Sequence, residues 1–161
     1  MKNYFQNKIA SLSRSRGITA VELLVVVVVL SIIFMTALPQ FSKMRERQVL
    51  KNGVGEILSS LSKARSRTLA SVNSYSYGVH FQSDKVIIFR GTSFSSGDAN
   101  NETINILTPA SITGINLSGG GADIYFNRLS GVPNVTGNVV ISSTNFTKTI
   151  TISATGIASV N

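Results

Sequence analysis

Between Ile18 and Leu38 the chain runs for 21 residues whose apolar character is broken only by Thr19, Glu22, Ser31 and Thr36. Coiled as a helix, that stretch is ~31 Å long, which matches the ~30 Å hydrocarbon core of a bilayer. Its centre is five consecutive valines, Val25 to Val29. Valine is a poor helix former in water, but in lipid the backbone has no hydrogen-bond partner outside its own segment, so the medium imposes a helix. The sequence therefore predicts a transmembrane helix over 18–38. Glu22 is the anomaly, because a carboxylate in mid-helix costs about 3 kcal/mol on insertion scales and usually marks a function. An ordinary anchor has no reason to carry one.

A secretory signal peptide also joins a charged front to an apolar middle. Its apolar stretch is only about 7–15 residues and ends at a small-residue cleavage site. Here the run is longer, and Ala37-Leu38-Pro39 is a poor exit signal. Residues 1–17 carry Lys2, Lys8, Arg14 and Arg16 with no acid, while Lys43, Arg45, Arg47 and Lys51 face Glu46 on the other side. The difference is too small for the distribution of positive charge to set orientation.

The basic leader ending in Gly17, the apolar helix opening at Ile18 and the glutamate at Glu22 together resemble the class III signal of type IV pilins and pseudopilins. Counted from Ile18, Glu22 is the fifth residue and Pro39 the twenty-second, in register with that family's pattern; Ile18 departs from it, since phenylalanine is usual there. The resemblance implies cleavage between Gly17 and Ile18 by a membrane-embedded prepilin peptidase on the cytoplasmic side, and N-methylation of the Ile18 amine. It also implies that Glu22 pairs with the Ile18 amine of its own or a neighbouring subunit during assembly. Physically, glycine lets an unhindered backbone enter a protease cleft, and two opposite charges leaving water together lose less than either alone.

Pro39 lacks an amide donor and clashes with the preceding turn, so a helix kink is expected there. Beyond it Leu50, Val54, Ile57, Leu58, Leu61, Ala64, Thr68, Leu69 and Val72 recur at helical spacing. The chain from Ile18 to about Val72 reads as one bent helix. Arg45, Arg47, Lys51, Lys63, Arg65 and Arg67 fall mostly on its polar side, as a solvated or lipid-facing stripe. Gly53 and Gly55 mark either a second bend or room for close packing.

From Tyr75 the period changes to two: Tyr75, Tyr77, Val79 and Phe81 alternate with Ser76, Gly78, His80 and Gln82, as in a half-buried strand. Lys85–Arg90 is an apolar strand, 91–101 a polar loop, and further strands are expected at 102–108, 111–117, 122–128, 138–143, 147–154 and 157–160. The fold class is α+β, a long N-terminal transmembrane-plus-amphipathic helix packed on an antiparallel β-sheet domain, as in the pilin fold. Four segments are expected: a leader (1–17), a membrane and filament-core helix (18–38), its distal amphipathic half (39–73) and a β-rich head (74–161). Within the family, Leu61–Ala70, Phe126–Gly131 and Ile150–Gly156 are similar to passages of the H-type minor pseudopilins and their FimT-like pilus relatives.

No catalytic, metal-ligating or cofactor-binding set emerges, and an enzyme is not expected. The chain has no cysteine and one histidine, His80, on the polar side of its strand. No G-x-S-x-G elbow is present, and Gly119-Gly120-Gly121 lacks the Lys-Ser/Thr of a phosphate loop. A Ser-His-Asp triad is non-local, so the plentiful serines leave that arrangement open. The sequons at Asn101 and Asn145 are read as chance. After Thr68 four basic residues balance four acidic ones, which argues against a nucleic-acid partner. The resemblance implies as partners a prepilin peptidase, other pilins or pseudopilins in a filament, an inner-membrane assembly platform and, before assembly, membrane lipid. It implies a single-pass cytoplasmic-membrane protein with an extracytoplasmic C-terminal domain, later part of a periplasmic or surface filament. The competing readings are a pilus-tip subunit that captures DNA or a surface, and a plain signal-anchored envelope domain.

Overall fold

The computed structural model describes residues 17–161. They form an α+β protein with one long N-terminal helix, α1 (Ala20–Leu69), followed by eight strands. The chain divides into two compact units between Pro39 and Gln40. In the first unit the helix presents valines, leucines and isoleucines to solvent around its whole circumference, Val21 to Leu30 being 45–72% exposed. Among the described residues α1 is the one helix long and apolar enough to cross a membrane. The predicted leader, with Lys2, Lys8, Arg14 and Arg16, lies outside the described residues apart from Gly17.

In the second unit the helix buries a single stripe: Leu50, Val54, Ile57, Leu61, Ala64 and Thr68. These positions recur every three or four residues, so they share one face. Two sheets close over that face. The first has the order β3 (Glu102–Asn105), β2 (Lys85–Arg90), β1 (Tyr77–Phe81), β5 (Asp123–Tyr125); the second runs β4 (Ser111–Leu117), β6 (Gly137–Ser142), β7 (Thr147–Ile152), β8 (Ala158–Val160). All pairings are antiparallel. The helix stripe, Val79, Phe81, Val86, Ile88 and Ile124 from the first sheet, and Val139, Ile141, Ile150 and Ile152 from the second form one apolar cluster.

Gly53 sits tight against the second sheet: a Cβ there would lie 2.7 Å from Ile141 Cδ1, whereas Gly55 has nothing within 4 Å. Close packing therefore accounts for the first glycine and not the second. The strand of 77–81 is covered on both faces, in contrast to the half-buried strand expected. Gly78 pairs with Phe89 and His80 with Ile87, and the 91–101 loop lays Phe94 over this outer face, stacked on His80 and edge-on to Phe89. Tyr75 lies outside the strand and is exposed, its ring 4.5 Å from the Arg90 guanidinium. The antiparallel strands divide into two sheets, because the chain leaves β3 through Ile106 and Ala110, both buried, and starts a separate ladder at Ser111.

Candidate functional site

The N-terminal site is built from four residues. Gly17 and Ile18 are exposed and lie outside the helix, and a Cβ at Gly17 would meet no atom within 4 Å. Thr19 caps the helix: its Oγ1 accepts the Glu22 amide N–H at 3.1 Å, and its carbonyl accepts that of Leu23 at 3.1 Å. Thr19 and Glu22 thus occupy the two ends of a Thr-x-x-Glu capping arrangement, which places the carboxylate in the first turn. That position has a chemical consequence. A free amine at Ile18 would set a positive charge on the positive end of the helix dipole, and a first-turn carboxylate offsets both. The amine exists only once the Gly17–Ile18 bond is cut. The local signal for this cap is Thr-x-x-Glu directly before an apolar run. Pro39 falls within the α1 span, at the boundary between the units.

Four polar contacts lock the helix of the second unit to the strands and the turns between them, and pairwise sequence spacing announced none of them. Glu46, buried, accepts the Asn145 backbone N–H at 2.6 Å and its Nδ2 at 2.9 Å. These bonds, the side-chain amide first, hold the Glu46 carboxyl below its ordinary value of 4.5 despite burial. The Asn145 side chain of that sequon is therefore engaged by the helix. Lys63 and Arg67 both reach Glu102 on β3, the Arg67 Nη2 at 3.0 Å; the Lys63 bond leads in lowering the Glu102 carboxyl. Thr68 donates to Ala64 C=O and accepts the Tyr77 N–H, each at 2.9 Å.

Arg65 makes the fourth contact. Its Nε donates to Gly131 C=O at 3.1 Å and its Nη2 to Thr155 C=O at 3.2 Å. The three separated passages 61–70, 126–131 and 150–156 thus meet at one side chain. The expected basic stripe divides accordingly: Lys63, Arg65 and Arg67 point onto the head, because carbonyl and carboxylate acceptors lie beside them, while Arg45 and Lys51 face solvent.

His80 is not the plain surface residue expected. Its side chain is 17% exposed, stacked on Phe94 with centroids 3.9 Å apart, and bonded through Nδ1 to the Asp123 carboxylate. Its other ring nitrogen meets Gln82 Nε2 at 3.2 Å. With both nitrogens engaged and no serine hydroxyl on either, the imidazole is held as a structural clip between β1 and β5. Among the described residues no group of three His, Cys, Asp or Glu side chains is placed to hold a metal ion. Comparisons with protein-family models, with curated proteins and with solved structures returned no match.

Proposed function

We propose that this chain is a structural subunit of the type IV pilin-like family, a minor pilin or pseudopilin of a type II secretion pseudopilus or type IV pilus. In this reading it is cut after Gly17 by prepilin peptidase, methylated on the Ile18 amine and assembled through its N-terminal helix, with Glu22 on a neighbouring amine. One observation supports the reading most: among the described residues the apolar helix is exposed from Ala20 to Thr36, yet it bears a carboxylate in its first turn, just after an exposed Gly-Ile bond. Such a surface needs lipid first, and neighbouring helices are a second environment in which the charge can be neutralised. The α+β arrangement with a helix seated on antiparallel strands is compatible with a pilin head.

The test is mass spectrometry of the native N-terminus. A chain beginning at methylated Ile18 with its helix retained is the expected product. Residues 1–17 still attached, or a mature chain lacking the helix, overturns the proposal. Glu22→Ala is expected to insert in the membrane normally and to enter filaments poorly; undiminished incorporation removes Glu22 from the assembly step.

A further inference from the structure

Beside the helix, within the second unit, lies a groove of about 600 Å³, inside the ~300–1,000 Å³ range of small-ligand sites. Its floor is apolar, from Leu50, Phe146 and Val160, and its rim is cationic, from Arg47, Lys51 and Lys148. The Arg47 guanidinium lies 4.6 Å from the Phe146 ring centroid, which holds it at the mouth. Among the described residues the ion pairs are Lys63 and Arg67 with Glu102, and His80 with Asp123. The three rim cations therefore have no carboxylate partner. Lys43 extends the row, since 43, 47 and 51 are spaced four apart on one helix face and line an adjoining hollow.

We infer that this groove binds the headgroup of an anionic phospholipid, with the rim cations on its phosphate and the apolar floor against the first acyl methylenes. Guanidinium and ammonium groups are the side chains suited to phosphate, the former through paired hydrogen bonds. The choice of a bilayer over an acidic protein rests on chain length. Arg47 and Lys51, on the rim, are nine and thirteen residues past Leu38, so even a fully extended chain keeps them within about 32 and 47 Å of the end of the apolar span. A lipid surface is thus the one anionic partner that the covalent structure keeps within reach. The inference depends on residues 18–38 spanning a membrane and is independent of filament assembly. Each cation close to an anionic surface contributes about fivefold in binding.

The chain has no native cysteine, so Thr144→Cys, in the exposed β6–β7 turn, gives a single labelling position. The labelled full-length chain is placed in nanodiscs of phosphatidylcholine, with or without about 30 mol % phosphatidylglycerol, each containing a headgroup-attached quencher. Stronger quenching is expected in the anionic discs, weakening about 25-fold in docking equilibrium with Lys51→Gln/Lys148→Gln and also in high salt. Both lysines are exposed, and an unchanged thermal melt checks that the variant folds. The control Lys85→Gln/Arg128→Gln removes the same charge elsewhere and is expected to retain docking. Equal quenching in neutral and anionic discs overturns the site. So does an equal loss in both double variants, which would assign the attraction to total charge or leave the groove to an acidic protein. Release of the wild-type chain by alkaline carbonate instead overturns the spanning helix on which the tether depends.

Discussion

Gly53 and Gly55 lie two residues apart in the same helix, so alanine at either position gains the same helix propensity, about 1 kcal/mol. What differs is the space around them. At Gly55 a new methyl meets nothing within 4 Å, and Gly55→Ala is expected to stabilise the head by about 0.5–1 kcal/mol. At Gly53 the methyl arrives 2.7 Å from Ile141 Cδ1 and 3.4 Å from Ile106 Cγ2. Ile141 is fully buried, so its terminal carbon has little room to retreat. Overpacking of that kind costs about 1–3 kcal/mol, which offsets the propensity gain and leaves Gly53→Ala neutral to about 2 kcal/mol destabilising. Urea unfolding of the head unit, followed by far-ultraviolet circular dichroism, measures both, and a 1 kcal/mol difference corresponds to about 3–5 °C in Tm. Equal stabilisation by the two alanines would refute the seating of the helix on Ile141.

Glu46 has a lowered carboxyl, so the stability it contributes is complete above its unfolded value of 4.5 and is lost as pH falls through the lower folded value. Glu46→Gln is therefore expected to be less stable than the parent at pH 7, with the gap closing in acid below about 4.5; a pH-independent difference in urea midpoint would contradict this. Arg65→Met keeps most of the apolar stem and removes both hydrogen bonds to Gly131 and Thr155, for an expected loss of about 2 kcal/mol in the same unfolding assay. Its loss should also raise amide exchange at the β7–β8 turn more than in β1.

Local pattern made much of this architecture readable in advance. Strands at Lys85–Arg90 and 111–117 carry alternating or continuous apolar residues bounded by turn residues, and they form with those limits. The buried stripe from Leu50 to Thr68 followed from helical spacing, but Leu69 and Val72, expected to continue it, are exposed and the helix ends at Leu69. Period, however, says which side of a strand is buried and not which strand lies beside it. The split into two sheets therefore had no local signature, nor did the cover that Phe94 gives the outer face of β1. The same limit applies to the polar contacts: Glu46 and Asn145 are 99 residues apart, Arg65 and Thr155 are 90 apart, and both pairs depend on how the chain returns. Thr19 was different. Its capping role is local, three residues from the Glu22 amide it accepts, and is readable from the Thr-x-x-Glu pattern.

The two acceptors of Arg65 are main-chain oxygens, which every residue type supplies. The loops that present them could exchange nearly all their side chains, and with them whatever the outer surface recognises, without slackening the grip on the helix. The exceptions are Gly131 and Gly156, whose φ values of +62° and +79° suit glycine, and a Cβ on the latter would sit 2.5 Å from the very carbonyl being held. Descendants of this chain are thus free to diversify their face while two hydrogen atoms, one on each glycine where a methyl would otherwise stand, keep the hinge post in place.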